Sequence, residues 1–126
     1  MTDKIIESEK DLLFSHFTLE NLHEAVFWID EHSNFVRINN AACKISGYSK
    51  EALLKMSMLD INPTETKKSW TEHWKEVKEL KKVTLQTIHR HKKGHLYDIE
   101  VTNNYIEFDG KEFSCSIVKD ISKKKD

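Results

Sequence analysis

FVRINNAACKISGYSKEALL, residues 35–54, is the stretch whose reading decides the fold. Phe35, Val36 and Ile38 are strand formers. Ala41, Ala42 and Ile45 then give a first helix its apolar face, and Gly47 is the residue able to take the left-handed conformation that closes a helix without a Cβ penalty. Ser49 follows as an acceptor for the exposed N–H groups of a second short helix, with Glu51 near its positive end. A strand running into two abrupt helical turns builds a concave wall rather than a rod. Such a wall can close over a sheet, which predicts a pocket.

Working outward, AVFWID (25–30) is a continuous apolar run of β-formers that suits a central strand buried on both faces, and residues 31–34 turn the chain, with Asn34 tolerant of positive φ. On the other side, Asn62 is expected to cap a helix with Pro63 at its first position and Glu65 at its third. In that helix Trp70, Trp74, Val77 and Leu80 fall at helical spacing, with His73 in the same arc. Val83, Leu85 and Thr87 alternate with Thr84, Gln86 and Ile88, and Lys93-Gly94 turns the chain. Tyr97, Ile99 and Val101 alternate with Asp98, Glu100 and Thr102, the pattern of a half-buried strand. Asp109-Gly110 reads as a hairpin turn, and residues 113–121 return as the last strand. The order is helix, two strands, several helices and three strands. That is an α+β domain: a five-stranded antiparallel sheet with helices on one face.

Residues 1–22 read as an amphipathic flanking helix with Ile5, Ile6, Leu12 and Leu13 as its stripe, too polar to stand alone. The stripe packs on its own domain or forms a dimer seam, and the sequence leaves both open. Residues 23–122 form the domain, and 123–126 begin an output linker.

The chain has 126 residues, enough for one core, and 38% of them are hydrophobic. Twenty basic and 21 acidic residues leave a net charge of −1, without the clustered basic surplus of a nucleic-acid binder. Cys43 and Cys115 are neither spaced like a metal knuckle nor numerous enough for a disulfide scaffold, and each is expected to pack as a small apolar residue. No stretch approaches the roughly 20 apolar residues of a membrane helix, so the expected piece is soluble and cytoplasmic, without direct membrane insertion. No G-x-S-x-G elbow, H-E-x-x-H pair or glycine-rich phosphate loop argues for catalysis; a small α+β enzyme assembled from distant strands is the weaker alternative.

Asn39-Asn40-Ala41-Ala42, Gly47-Tyr48-Ser49 and Glu51-Ala52-Leu53 together resemble the N-x-A-x-x-x-x-x-G-Y-[ST]-x-E-E-L run of the PAS sensory domain. Asp60-Ile61-Asn62-Pro63 is similar to that family's D-[IV]-x-[PH] step, and Asp120-Ile121-Ser122 to the D-I-T step that leads into an output helix. Ala52, Asn34 and Lys93 depart from the family's usual Glu, Gly and Asp. Spanning roughly residues 22–124, the resemblance implies a PAS fold and a regulatory module. Such a module senses a small organic ligand, or relays a signal by dimer rearrangement, to an effector outside this chain: a histidine kinase or a cyclic-dinucleotide enzyme. A homodimer built on the flanking helix is the implied assembly, and a dimerisation module with a filled core is the alternative.

The expected cavity lies between sheet and lid helix, with Phe27, Ile29, Trp70, Trp74, Ile99, Val101 and Cys115 as walls and Asn39, His73, Asn103 and Ser116 as polar groups. Asp120, Ile121 and Ser122 are the expected relay. Haem-binding members place an iron-ligating histidine where His73 stands, but Trp70 and Trp74 beside it fill space, so no haem is expected. Flavin-binding light sensors carry N-C-R-F-L-Q around a reactive cysteine, whereas Cys43 sits in A-A-C-K-I. No cofactor and no metal are expected.

Overall fold

Ala25–Asp30 (β1) turns back onto Phe35–Ile38 (β2) through a tight, side-chain-braced turn in a computed structural model that describes residues 23–108 and 110–122. The Asp30 carboxylate accepts from the amides of His32 and Asn34, each at 2.9 Å. Positive φ falls on Ser33, at 71°, and not on Asn34. With its amide held by Asp30 and its backbone bridged to Ser57, Asn34 stays extended and the left-handed step moves one residue back.

The quoted stretch continues as α1 (Asn40–Ser46) and α2 (Lys50–Leu53). Gly47 ends α1 at φ 82°, its amide donating to the Cys43 carbonyl at 2.8 Å, and the Ser49 hydroxyl accepts from the Ala52 amide at 3.1 Å. Glycine is required here twice over. A side chain at that φ costs about 1–2 kcal/mol, and a Cβ would lie 2.3 Å from Cε1 of His91. The close approach follows from the Lys92 amide bonding the Ser46 carbonyl at 2.9 Å, which pins the loop 91–95 to this turn.

Met58–Ile61 (α3) and the long Lys67–Leu80 (α4) follow. The latter does not start at Asn62-Pro63. Asn62 caps the end of α3 and spends its Oδ1 on the amide and hydroxyl of Thr64, while Thr66 and Ser69 form the reciprocal capping box that opens α4. Leu80 is also not part of the buried stripe; it is exposed in the last turn, beside the left-handed C-cap Lys81.

Lys82–Arg90 (β3), Leu96–Phe108 (β4) and Lys111–Asp120 (β5) complete one antiparallel sheet in the order β2-β1-β5-β4-β3. The β3–β4 turn confines positive φ to Gly94, so Lys93 is spared it. Strand alternation separates two cores. Phe27, Ile29, Ile99 and Val101 face the helices with Ala42, Leu53, Met58 and Ile61, whereas Val26, Trp28, Phe113 and Cys115 form a second cluster on the opposite face. Residues 1–22, which carry Ile5, Ile6, Leu12 and Leu13, lie outside the described residues, as do 123–126.

Candidate functional site

The lid is α4, which presents Trp70, Trp74 and Val77 to the sheet. The Trp70 indole N–H donates to the Glu31 carbonyl at 2.8 Å, locking the ring across the β1–β2 turn. Trp74 sits between Trp70, with ring centroids 6.2 Å apart, and Tyr105, which it meets edge-on at 6.4 Å. Bulky indoles on one side and short inward side chains at Thr87 on β3 and at Ser114 and Ser116 on β5 leave a cavity of about 290 Å³ between lid and sheet.

Of the residues expected there, Ile29, Trp70, His73, Trp74, Val101, Asn103 and Ser116 line it. Four lie elsewhere. Phe27 is consumed by the core, stacked at a tilt on Phe35 at 5.1 Å, and Ile99 is fully buried in the same cluster. Asn39 is a structural bracket: its Oδ1 accepts from the amides of Val26 and Ala42, and its Nδ2 donates to the Glu24 carbonyl, each at 3.0 Å. Cys115 points through the opposite face beside Trp28, where burial pushes its thiol up to about 12. Its neighbours Ser114 and Ser116 take the cavity side instead, and both hydroxyls donate to Asn103 Oδ1.

Glu65, Thr87 and His89 also line the cavity, and the sequence reading missed all three as site residues. The signal for His89 was present: it is the next inward position after Thr87 on an alternating strand. His89 is 2% exposed, its ring edge-on to Tyr97 at 6.1 Å, and Nδ1 has no hydrogen-bond partner. Desolvation lowers it from 6.5 to about 4, so it is neutral at physiological pH. The Asn62 side chain donates to Thr87 Oγ1 at 3.2 Å, and this bond sets the segment carrying Glu65 over β3, one inward position from His89.

Glu65 is unusual for a carboxylate in being only 6% exposed. The Ser69 hydroxyl donates to its Oε1, and His73 Nδ1 lies 3.3 Å from that same oxygen. His73 is 44% exposed at the cavity mouth. The pocket lies at the small end of ligand-sized cavities, with two indoles on its wall and its one lid histidine turned to a carboxylate.

A larger open groove of about 710 Å³ runs along the β1–β2 edge. It is flanked by Asp30, Arg37, Lys50 and Glu112 and has the character of solvated surface rather than of a binding pocket. At the end of β5, the Ser122 amide donates to Asp120 Oδ1 at 2.9 Å and the Ser122 hydroxyl accepts from the Asp98 amide at 3.0 Å. With the Ile121 amide bonded to the Asp98 carbonyl, the expected relay segment is clipped to the start of β4. Among the described residues no helix is long and apolar enough to cross a membrane, and no group of three or more His, Cys, Asp or Glu side chains converges as a metal site.

Comparison with known proteins bears on this geometry. The family model described as PAS domain matches residues 23–123. The chain is similar to a crystallised PAS domain of a two-component sensor histidine kinase, with 28% identity, a TM-score of 0.73 and coverage of 90% of this chain and 98% of the other. The PAS domain of a Colwellia psychrerythraea protein aligns at 23% identity and TM-score 0.75, covering 89% and 98%. That of an HTR-like protein from Haloarcula marismortui aligns at 17% and 0.74, covering 91% and 98%. These last two speak to the fold alone. No curated protein matches the chain.

Proposed function

Since the chain belongs to the PAS domain family, whose members are sensory signalling modules rather than enzymes, we propose that it senses a small organic molecule held between α4 and the sheet. Occupancy biases two packings of lid against sheet, and the shift passes along β5 through Asp120, Ile121 and Ser122 to an effector outside this chain. A histidine kinase is the effector favoured by the resemblance to the kinase-derived PAS domain. The working unit is a cytoplasmic homodimer.

One observation carries this reading. A cavity of about 290 Å³ contains a buried histidine whose Nδ1 has no hydrogen-bond partner. Leaving such a group unpaired costs about 1–3 kcal/mol, a cost that a ligand reaching Nδ1 would offset. Native mass spectrometry of the purified chain tests it. The expected spectrum contains a species heavier than the bare protein by the mass of one small molecule, lost on gentle activation. A filled core acting only as a dimerisation module gives bare protein under every condition.

A further inference from the structure

The sensory reading leaves open what kind of molecule the cavity takes, and its charges narrow the choice. Glu65 is the one carboxylate on its wall, and among the described residues no lysine or arginine lines it. Both protein partners of Glu65, the Ser69 hydroxyl and His73 Nδ1, reach Oε1. Oε2 is therefore left without a protein partner on a side chain only 6% exposed. A carboxylate oxygen on a largely enclosed side chain favours a donor, and a charged donor most of all. Trp70 and Trp74 add two aromatic rings to the same wall, the surface that best attracts a desolvated cation. His89, neutral and buried nearby, offers hydrogen bonding without a repelling positive charge.

We propose that the cavity selects a small organic cation, a primary amine on a short aromatic or aliphatic body, through Glu65 Oε2 with Trp70 and Trp74 as walls. This rests on the sensory function proposed above. The ammonium group donates to Oε2 while His73 keeps Oε1, so ligand and histidine do not compete for one oxygen. The body fills the space bounded by Ile29, Leu85 and Val101. An anion of the same size meets the Glu65 charge and is refused.

Three probes of matched size and different charge test this by titration calorimetry on the intact chain: 2-phenylethylamine, 2-phenylethanol and 3-phenylpropionate. The amine is expected to bind tightest. Glu65→Gln, which keeps an acceptor for the Ser69 hydroxyl, is expected to weaken the amine about tenfold or more and leave 2-phenylethanol unchanged, a selectivity that a merely structural role for Glu65 does not produce. Equal or tighter binding of the alcohol or the carboxylate, or an amine affinity unmoved in Glu65→Gln, overturns the cation selection and leaves a ligand-binding cavity standing. Silence of all three probes overturns it as well; joined to bare protein in native mass spectra, that silence takes the sensory cavity down with it.

Discussion

Asn39→Ala is expected to cost about 3 kcal/mol of folding stability, a large loss for a side chain that is only half-buried. Its Oδ1 serves two amides at once, the N3 amide of α1 at Ala42 and the amide of Val26 in β1, and its Nδ2 holds the Glu24 carbonyl at the entry to that strand. Losing an N-cap costs about 1 kcal/mol. Val26 is 0% exposed, so its amide then has no water to turn to, and a buried unpaired donor adds about 1–3 kcal/mol. Asn39→Asp keeps both acceptor bonds and loses only the donor, so it should fall between wild type and Asn39→Ala. Urea denaturation measures all three. A loss in Asn39→Ala below about 1 kcal/mol would mean that Asn39 does not bracket helix to strand.

The second large effect is on acid stability. His89 is lowered by desolvation to about 4 from its ordinary 6.5. In the unfolded chain it takes up its proton first as pH falls, so the folded state is penalised progressively between about 6.5 and 4 and unaffected above that window. The full penalty is about 3 kcal/mol, from the size of the shift. Thermal or urea unfolding across pH 4–7 should show this fall, and His89→Gln should flatten much of it. His91, also lowered, by desolvation and by the nearby His95 and Lys93, acts in the same direction. It is present in both proteins, so the difference between them isolates His89. Identical pH slopes in the two would rule out a neutral buried imidazole at this position.

These two residues also mark what the sequence made legible. Gly47 and Ser49 could be read correctly because each does something few residues can do, one taking positive φ and the other capping with a short hydroxyl. The sheet and its antiparallel order followed from alternation in Tyr97, Ile99 and Val101 and from the turn residues between strands. Asn39 misled because an asparagine at a strand end reads equally as a pocket polar group or a bracket, and only the distance to Val26 decides. Asn62-Pro63 misled because two capping signals lie four residues apart and the reciprocal Thr66–Ser69 pair takes the helix start. On β5, FSCS is buried on both faces, so hydrophobicity could not tell which side Cys115 takes. The serines turn inward because Asn103 is there to accept from them, a partner on another strand that no local pattern reveals.

Glu65 went unread for a related reason: it reads as a helix-start residue, and only the Thr66–Ser69 capping box, which moves the helix start past it, leaves it on the cavity wall. His89 was legible from the strand alternation, as the next inward position after Thr87.

The three tryptophans supply the most direct test, because Trp70 and Trp74 stand on the cavity wall and Trp28 on the opposite face of the sheet. In a ¹H–¹⁵N correlation spectrum their indole N–H signals are three separate reporters. With 2-phenylethylamine, 2-phenylethanol and 3-phenylpropionate added in turn, at least one probe, the amine first, is predicted to move the Trp70 and Trp74 signals in a saturable way while Trp28 stays in place. If the Trp70 and Trp74 signals stay fixed with all three, or move only together with Trp28, the cavity between lid and sheet is not the binding site.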